Sequence, residues 1–194
     1  MKFHFALLGA IFVFLSGCAW TSQEVKLDPN VNVTQQDFGH GKTIYIDVED
    51  ERQRRAFGNK VPQGGGEITP MQEPKAVLTE ALVQGMTRLG FKPILEQRAN
   101  IPKLKTELRA IDYKVAMGFW SGGLTVDVGL KSICIVDGIG KYEKFYRGHH
   151  AENIQVAQSQ ENNEIYINSA FSQAINNLLS DSNLLNCLVA AGKN

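Results

Sequence analysis

The chain has 194 residues and sets 20 Lys and Arg against 20 Asp and Glu, for a formal net charge of +0. This length suits one domain with its own core once a leader is removed. The balance excludes a nucleic-acid binder, which needs a basic face to displace counterions, and gives no electrostatic hold on anionic lipid.

The first eighteen residues are the most informative. Lys2 and His4 make a basic start, residues 5–15 are apolar, and Leu15-Ser16-Gly17-Cys18 follows. The run is long enough to engage a secretion channel and too short for a comfortable membrane span. Small residues directly before a cysteine resemble the bacterial lipobox, in which the thiol takes a diacylglyceryl group before the peptide is cut in front of it. Residues 1–17 are therefore read as a lipoprotein signal peptide and Cys18 as the lipidated start of the mature chain. An uncleaved anchor or an ordinary secretory peptide is the competing reading. Each buried methylene of an acyl chain contributes roughly 0.8 kcal/mol, so two or three chains make release slow. Ala19, rather than aspartate, follows the cysteine, which resembles the outer-membrane address of the lipoprotein sorting rule. Trp20 suits headgroup depth.

Residues 18–42, with Pro29, Gly39, Gly41 and several Asn and Gln, lack apolar periodicity and read as a lipidated N-terminus and flexible tether. The rest, 43–194, reads as a single periplasmic domain. Over 43–49, Ile44, Ile46 and Val48 alternate as in a half-buried strand. Residues 50–74 are polar and broken by Pro62, Gly64-Gly65-Gly66 and Pro70, a long loop for a compact domain. Pro74 suits a first helical turn; Val77, Leu78, Ala81, Leu82, Met86 and Leu89 recur at helical spacing, and Gly90 stops the run.

A short strand follows over 91–95 and a longer one over 104–115, alternating at Leu104, Thr106, Leu108 and Ala110 before its phase blurs around Asp112. Gly118-Phe119-Trp120-Ser121-Gly122-Gly123 is turn chemistry, the next strand covers 124–136, and Asp137-Gly138 turns the chain into a strand over 141–150. Ile167, Ala170, Phe171, Ala174, Ile175, Leu178 and Leu179 form a helical stripe, and Asp181 or Ser182 caps a last short turn with Leu184, Leu185 and Leu188. This order predicts an α+β two-layer sandwich, with a mainly antiparallel four- or five-stranded sheet and two helices packed on one face.

The search for chemistry yields little. No Lys-Ser or Lys-Thr follows the three glycines, so they are no phosphate cradle. His149 and His150 are adjacent on a strand and point to opposite faces, so no metal site is expected, and no cofactor. No serine lies in a nucleophile motif. Asp47, Glu49, Asp50 and Glu51 adjoin Arg52, Arg54 and Arg55, which favours a neutralised surface over an acid–base pair. The chain is not expected to be an enzyme. With Cys18 assigned to lipid, Cys134 and Cys187 remain as a disulfide candidate in an oxidising compartment, or else as two small buried hydrophobes. Phe119 and Trp120, at a hairpin tip, are the candidate partner contact; the alternative is that the rings fold back into the core.

As an ordered set, several stretches resemble the YajG family of outer-membrane lipoproteins: the lipobox at Cys18, Asp50-Glu51-Arg52 after the first strand, Met86-Thr87 in the first helix, the strands around Leu104 and Leu124, Gly138, Tyr146-Arg147 and the closing helix from Asn168 to Asp181. The resemblance implies lipid anchorage at the outer membrane and carries over no catalytic residue. The expected function is that of a non-enzymatic outer-membrane lipoprotein on the periplasmic side. It would act through protein contacts as an accessory or assembly factor, such as a peripheral subunit of a secretion-system outer-membrane core, in an oligomeric state left open. The alternative is a binding module for a small envelope ligand, a lipid or peptidoglycan fragment, in a groove between helix and sheet.

Overall fold

The computed structural model describes residues 21–62, 64–118 and 121–190. The signal peptide, Cys18, Phe119 and Trp120 lie outside the described residues. In chain order the elements are β1 (Gln23–Val25), β2 (Thr43–Asp50), β3 (Gly58–Asn59), β4 (Glu67–Pro70), α1 (Pro74–Arg88), β5 (Lys92–Ile94), β6 (Lys103–Met117), β7 (Gly122–Val136), β8 (Ile139–Ile154), α2 (Gln160–Leu179) and α3 (Ser182–Ala190).

Among the described residues, all eight strands join one curled, mixed sheet in the order β1-β4-β3-β6-β2-β5, with β7 and then β8 added along the other edge of β6. The expected antiparallel sheet of four or five strands with two helices is thus corrected to a mixed sheet of eight strands with three helices. Two physical reasons account for the difference. Helix α1 is a crossover that returns the chain, so β5 and β6 both pair parallel with β2, as a helical connection permits and a hairpin does not. The other reason is length: β1, β3 and β4 have 3, 2 and 4 residues, too few to show an alternation. They lie in the segments read as tether and loop.

The antiparallel meander β6-β7-β8 matches the sequence reading. The blurred phase near Asp112 is a register shift between Leu108 and Ala110. Before it the inward residues of β6 are Leu104, Thr106 and Leu108; after it they are Ile111 and Tyr113. A bulge of this kind moves one extra residue through the pleat and switches the inward set from even to odd positions.

Both long helices cover one face of the sheet, α1 over β2 and β5 and α2 over β8 and β7. Leu78, Leu82 and Met86 of α1 and Ile167, Phe171, Ile175 and Leu178 of α2 are fully buried. Glycine sets two close approaches. A Cβ at Gly85 would overlap the Leu179 side chain where the helices cross, and one at Gly148 would overlap the Ala170 carbonyl oxygen, so α2 lies directly on the backbone of β8. Helix α1 ends at Gly90 (φ 82) with Phe91 N–H donating to the Met86 carbonyl at 3.0 Å and Gly90 N–H to Thr87 at 3.0 Å. Those paired bonds form the glycine-dependent Schellman stop.

From Thr21 onward, the segment read as a flexible tether over 18–42 belongs to the folded body. Val25, Leu27 and Val31 point into the core, and the intervening residues are stitched to α2. Lys26 N–H donates to Glu164 Oε1 (3.0 Å), Asp28 N–H to Asn168 Oδ1 (2.7 Å), Asn30 N–H to Ser172 Oγ (2.8 Å) and Asn32 N–H to Asn176 Oδ1 (2.9 Å). Asn168 and Asn176 also donate to the carbonyls of Lys26 and Asn30. The ladder works because two residues of extended chain advance about 6.6 Å and four residues of helix about 6.0 Å. Every second backbone N–H of this strap therefore meets every fourth side chain of α2. Replacing Asn168 and Asn176 together by alanine is expected to cost about 1 kcal/mol per lost bond and to speed hydrogen exchange at Asp28 and Asn32 while leaving the β7 amides unchanged. Uniform exchange across both regions would contradict this assignment.

At the other end of the sheet, the Cys134 and Cys187 sulfurs are bonded to each other, which joins β7 to α3. Asp181, the residue before α3, is the second tie. Its side chain is 4% exposed, and its Oδ2 accepts from Lys144 Nζ (2.7 Å), Tyr142 Oη (2.9 Å) and Tyr146 Oη (2.9 Å) on β8. Oδ1 caps α3 by accepting from Asn183 N–H (2.9 Å) and Leu184 N–H (3.4 Å).

Candidate functional site

The helices leave the opposite face of the sheet open, and its side chains form a lattice of alternating charge. In parallel register, Glu49 lies beside Glu107, a repulsive pair on its own. Lys105 resolves it, with Nζ at 2.8 Å from Glu49 and 3.2 Å from Glu107. The Lys105 hydrogen bond lowers the Glu49 pKa against the opposing effect of burial, and the same bond raises that of Lys105. Lys103 reaches Asp47 at 3.4 Å, Arg109 reaches Glu107 at 3.1 Å and Lys131 reaches Glu143 at 3.0 Å. The carboxylates on β2 are thus neutralised as expected, but for Asp47 and Glu49 the partners are lysines of β6. Among the nearby arginines, Arg52 holds Asp50 at 2.7 Å and Arg54 reaches across to Asp112 at 3.6 Å. Burial pushes the Asp50 carboxyl up, and the Arg52 side-chain and backbone bonds more than reverse it.

An aromatic ring stands in the middle of this lattice. Phe145 is 45% exposed, and its ring covers the backbone at Gly129, where a Cβ would crowd its edge. The Arg147 guanidinium lies 5.6 Å from the ring centroid. Next along β8, His149 Nδ1 is 2.8 Å from Asp127 Oδ1 on the same open face. His150 turns the other way and stacks on Tyr166 at 4.7 Å. The two imidazoles are on opposite faces, and among the described residues no group of His, Cys, Asp and Glu is arranged to hold a metal ion.

Strand β8, 16 residues long, is also an edge, pairing with β7 alone among the described residues. Helix α2 closes the middle of that edge. Gln173 Oε1 accepts from His149 N–H at 2.6 Å, and Asn177 donates to the Arg147 carbonyl at 2.9 Å. On either side of this cover, the outer edge of β8 has no strand partner among the described residues. Exposed edge strands are the usual template for adding a strand from another chain.

Sequence reasoning did not identify Phe145 or the β8 edge, because the meander gave no sign of which strand ends the sheet. It named Cys134 and Cys187 as a disulfide candidate and left two small buried hydrophobes as the alternative; their sulfurs are bonded. Under α1 and α2, the groove between helix and sheet invoked for a small ligand is filled by Leu82, Met86, Phe171 and Leu178, all fully buried.

No curated protein matches the sequence. Among solved structures, a protein of Xanthomonas campestris is similar at 14% identity and a TM-score of 0.45, over 89% of this chain and 95% of that one. A Helicobacter pylori homologue of a neuraminyllactose-binding hemagglutinin is similar at 7% identity and 0.47, over 84% and 97%. A minor lipoprotein of Acinetobacter baumannii follows at 10% and 0.40, over 77% and 91%. A family model described as uncharacterized lipoprotein, Lipoprotein_16, matches residues 29–189, most of the chain. The protein belongs to that lipoprotein family, with the lipid-mediated membrane anchoring the family carries.

Proposed function

We propose that this is a non-enzymatic lipoprotein of the outer membrane, facing the periplasm and attached through Cys18, which acts by protein contact as an accessory or assembly factor. Within the lipoprotein family, its motifs resemble the YajG group. The observation that carries the reading is the open sheet face. A neutralised charge lattice around the half-exposed Phe145, next to uncovered stretches of the β8 edge, suits a protein partner. Aromatic anchors ringed by polar groups are where interface energy concentrates, and a charge-balanced rim adds orientation with little net repulsion. The filled core beneath α1 and α2 favours this reading over carriage of a small envelope ligand.

Photo-crosslinking in intact cells tests it. A crosslinker at Phe145 should trap a discrete protein, and one at Leu95, exposed but off this face, should not. If neither position gives an adduct and the protein leaves mild detergent as a lone monomer, contact is not its role. For the anchor, Cys18→Ser is expected to abolish palmitate labelling and release the protein from membranes. Ala19→Asp should move it from the outer- to the inner-membrane fraction on a sucrose gradient. An Ala19→Asp form still in the outer membrane would remove the sorting argument.

A further inference from the structure

At one end of the sheet, the connection from β3 to β4, the ends of β6 and β7 and the chain leaving β8 carry almost no charge, while the charged connection from β2 to β3 lies farther back, level with residues 108–113 of β6. Gln23 is level with Ile68, Ile68 with Gly58 and Gly58 with Tyr113, so the start of β1 is level with the last third of β6, across β4 and β3. Gly122 pairs with Met117 on one side and Ile154 on the other, which brings the end of β6, the start of β7 and the chain leaving β8 together. Gln23 donates to the Gln158 carbonyl (3.4 Å), and Asn163 donates to Gln23 (2.7 Å). The connection from β3 to β4 closes there too, with Lys60 N–H on the Gly66 carbonyl at 2.9 Å.

The sequence over 18–23, 61–66, 115–126 and 153–160 contains no Asp, Glu, Lys or Arg, and the exposed Glu67, Glu152 and Glu161 stand at the borders of these stretches. Lys60 is 4% exposed, and its ammonium donates inward to the Thr21 carbonyl at 3.3 Å. Met117 and Val156 stand out at 45% and 69% exposure. The opposite end differs sharply. There, Asp37, His40, Lys42, Glu96, Arg98 and Asp137 occupy the connections into β2, β6 and β8.

We infer that the uncharged end rests against the lipid leaflet that holds the Cys18 acyl chains. This rests on the reading of Cys18 as the acylated residue. Four residues lie between Cys18 and Gln23, so the five steps reach at most about 18 Å when fully extended, and from Gln23 onward the strap is fixed to α2. The body therefore stands at the membrane with this end nearest the lipid. Loops without ions enter a headgroup layer with no charge to desolvate, and Met117 and Val156 exchange water for acyl boundary. The charged end and the open sheet face are left to the aqueous side.

Site-directed spin labelling of the acylated protein tests this. The native disulfide is kept intact, acylation is verified by intact mass, and the protein is reconstituted in vesicles of phosphatidylethanolamine and phosphatidylglycerol. Nitroxides are placed through Met117→Cys, Val156→Cys and, at the opposite end, Ile139→Cys, where the native side chain is 59% exposed. Relaxation by a water-soluble nickel chelate should fall severalfold at 117 and 156 relative to 139, and relaxation by oxygen should rise. Equal access at 156 and 139 in acylated, vesicle-bound protein overturns the orientation and leaves the anchor standing. A mass without acyl chains overturns the anchor and this inference together.

Discussion

Asp181→Ala is expected to lower the free energy of unfolding by about 3–5 kcal/mol at neutral pH, the range for removing one partner of a buried, hydrogen-bonded charge. Three donors from β8 converge on one of its oxygens and two backbone N–H groups of α3 on the other. Without the carboxylate, the Tyr146 hydroxyl stays buried with no acceptor, and α3 loses its cap. The pH dependence makes the assignment specific. Burial pushes the Asp181 carboxyl up, while the bonds from Lys144, Tyr142 and Tyr146 outweigh it and hold the pKa at about 2. A folded-state value below the unfolded one means that the stabilisation is present above about pH 4 and is lost as pH falls toward 2. Its size is on the order of 2 kcal/mol. Urea titrations of wild type and Asp181→Asn between pH 7 and pH 2 should therefore converge at the acid end. A gap that does not change with pH would mean that the charge is not the source.

Reduction of the disulfide, or Cys134→Ala with Cys187→Ala, is the second large effect. The bond spans 53 residues, and loop closure on that scale stabilises by about 4 kcal/mol in the chain-entropy description. For a domain of this size, that is a fall in melting temperature of roughly 8–16 °C, to be read by calorimetry with and without a thiol reductant. Coincident transitions would sink the prediction. Because Cys187 and the Asp181 cap hold the same short helix, losing both should depart from additivity.

What could be read in advance is explained by what generates a pattern. Ile44, Ile46 and Val48 and the stripe from Ile167 to Leu179 repeat at the periods of strand and helix, and each lies in the core. Gly90 marks its helix end because only that backbone turn closes the last carbonyls. The strap left no such mark. Its acceptors are a carboxylate, two amides and a hydroxyl on α2, about 140 positions away in the chain, and an Asn-rich stretch reads as solvated until its partner is known. The clue lay in the helix, where Asn168, Ser172 and Asn176 recur at a spacing of four on a flank that needed no amides for its own sake. Lys103 and Lys105 were missed as partners of Asp47 and Glu49 for a related reason. Which strand neighbours β2 is decided by the crossover through α1, and no local pattern encodes it. The pairing of Cys134 with Cys187 likewise waited on α3 folding back over the end of β7.

The strap also has a mechanical meaning. On the proposal that Cys18 is the acylated residue, the strap begins near the anchor and runs away from it along α2, so a tug on the lipid pulls along its length. Such a load falls on the whole row of amide rungs together, in shear, instead of unzipping them one at a time. Forced detachment is a matter of rate, and this geometry gives a small fold slow mechanical failure when the envelope to which it is moored is stretched.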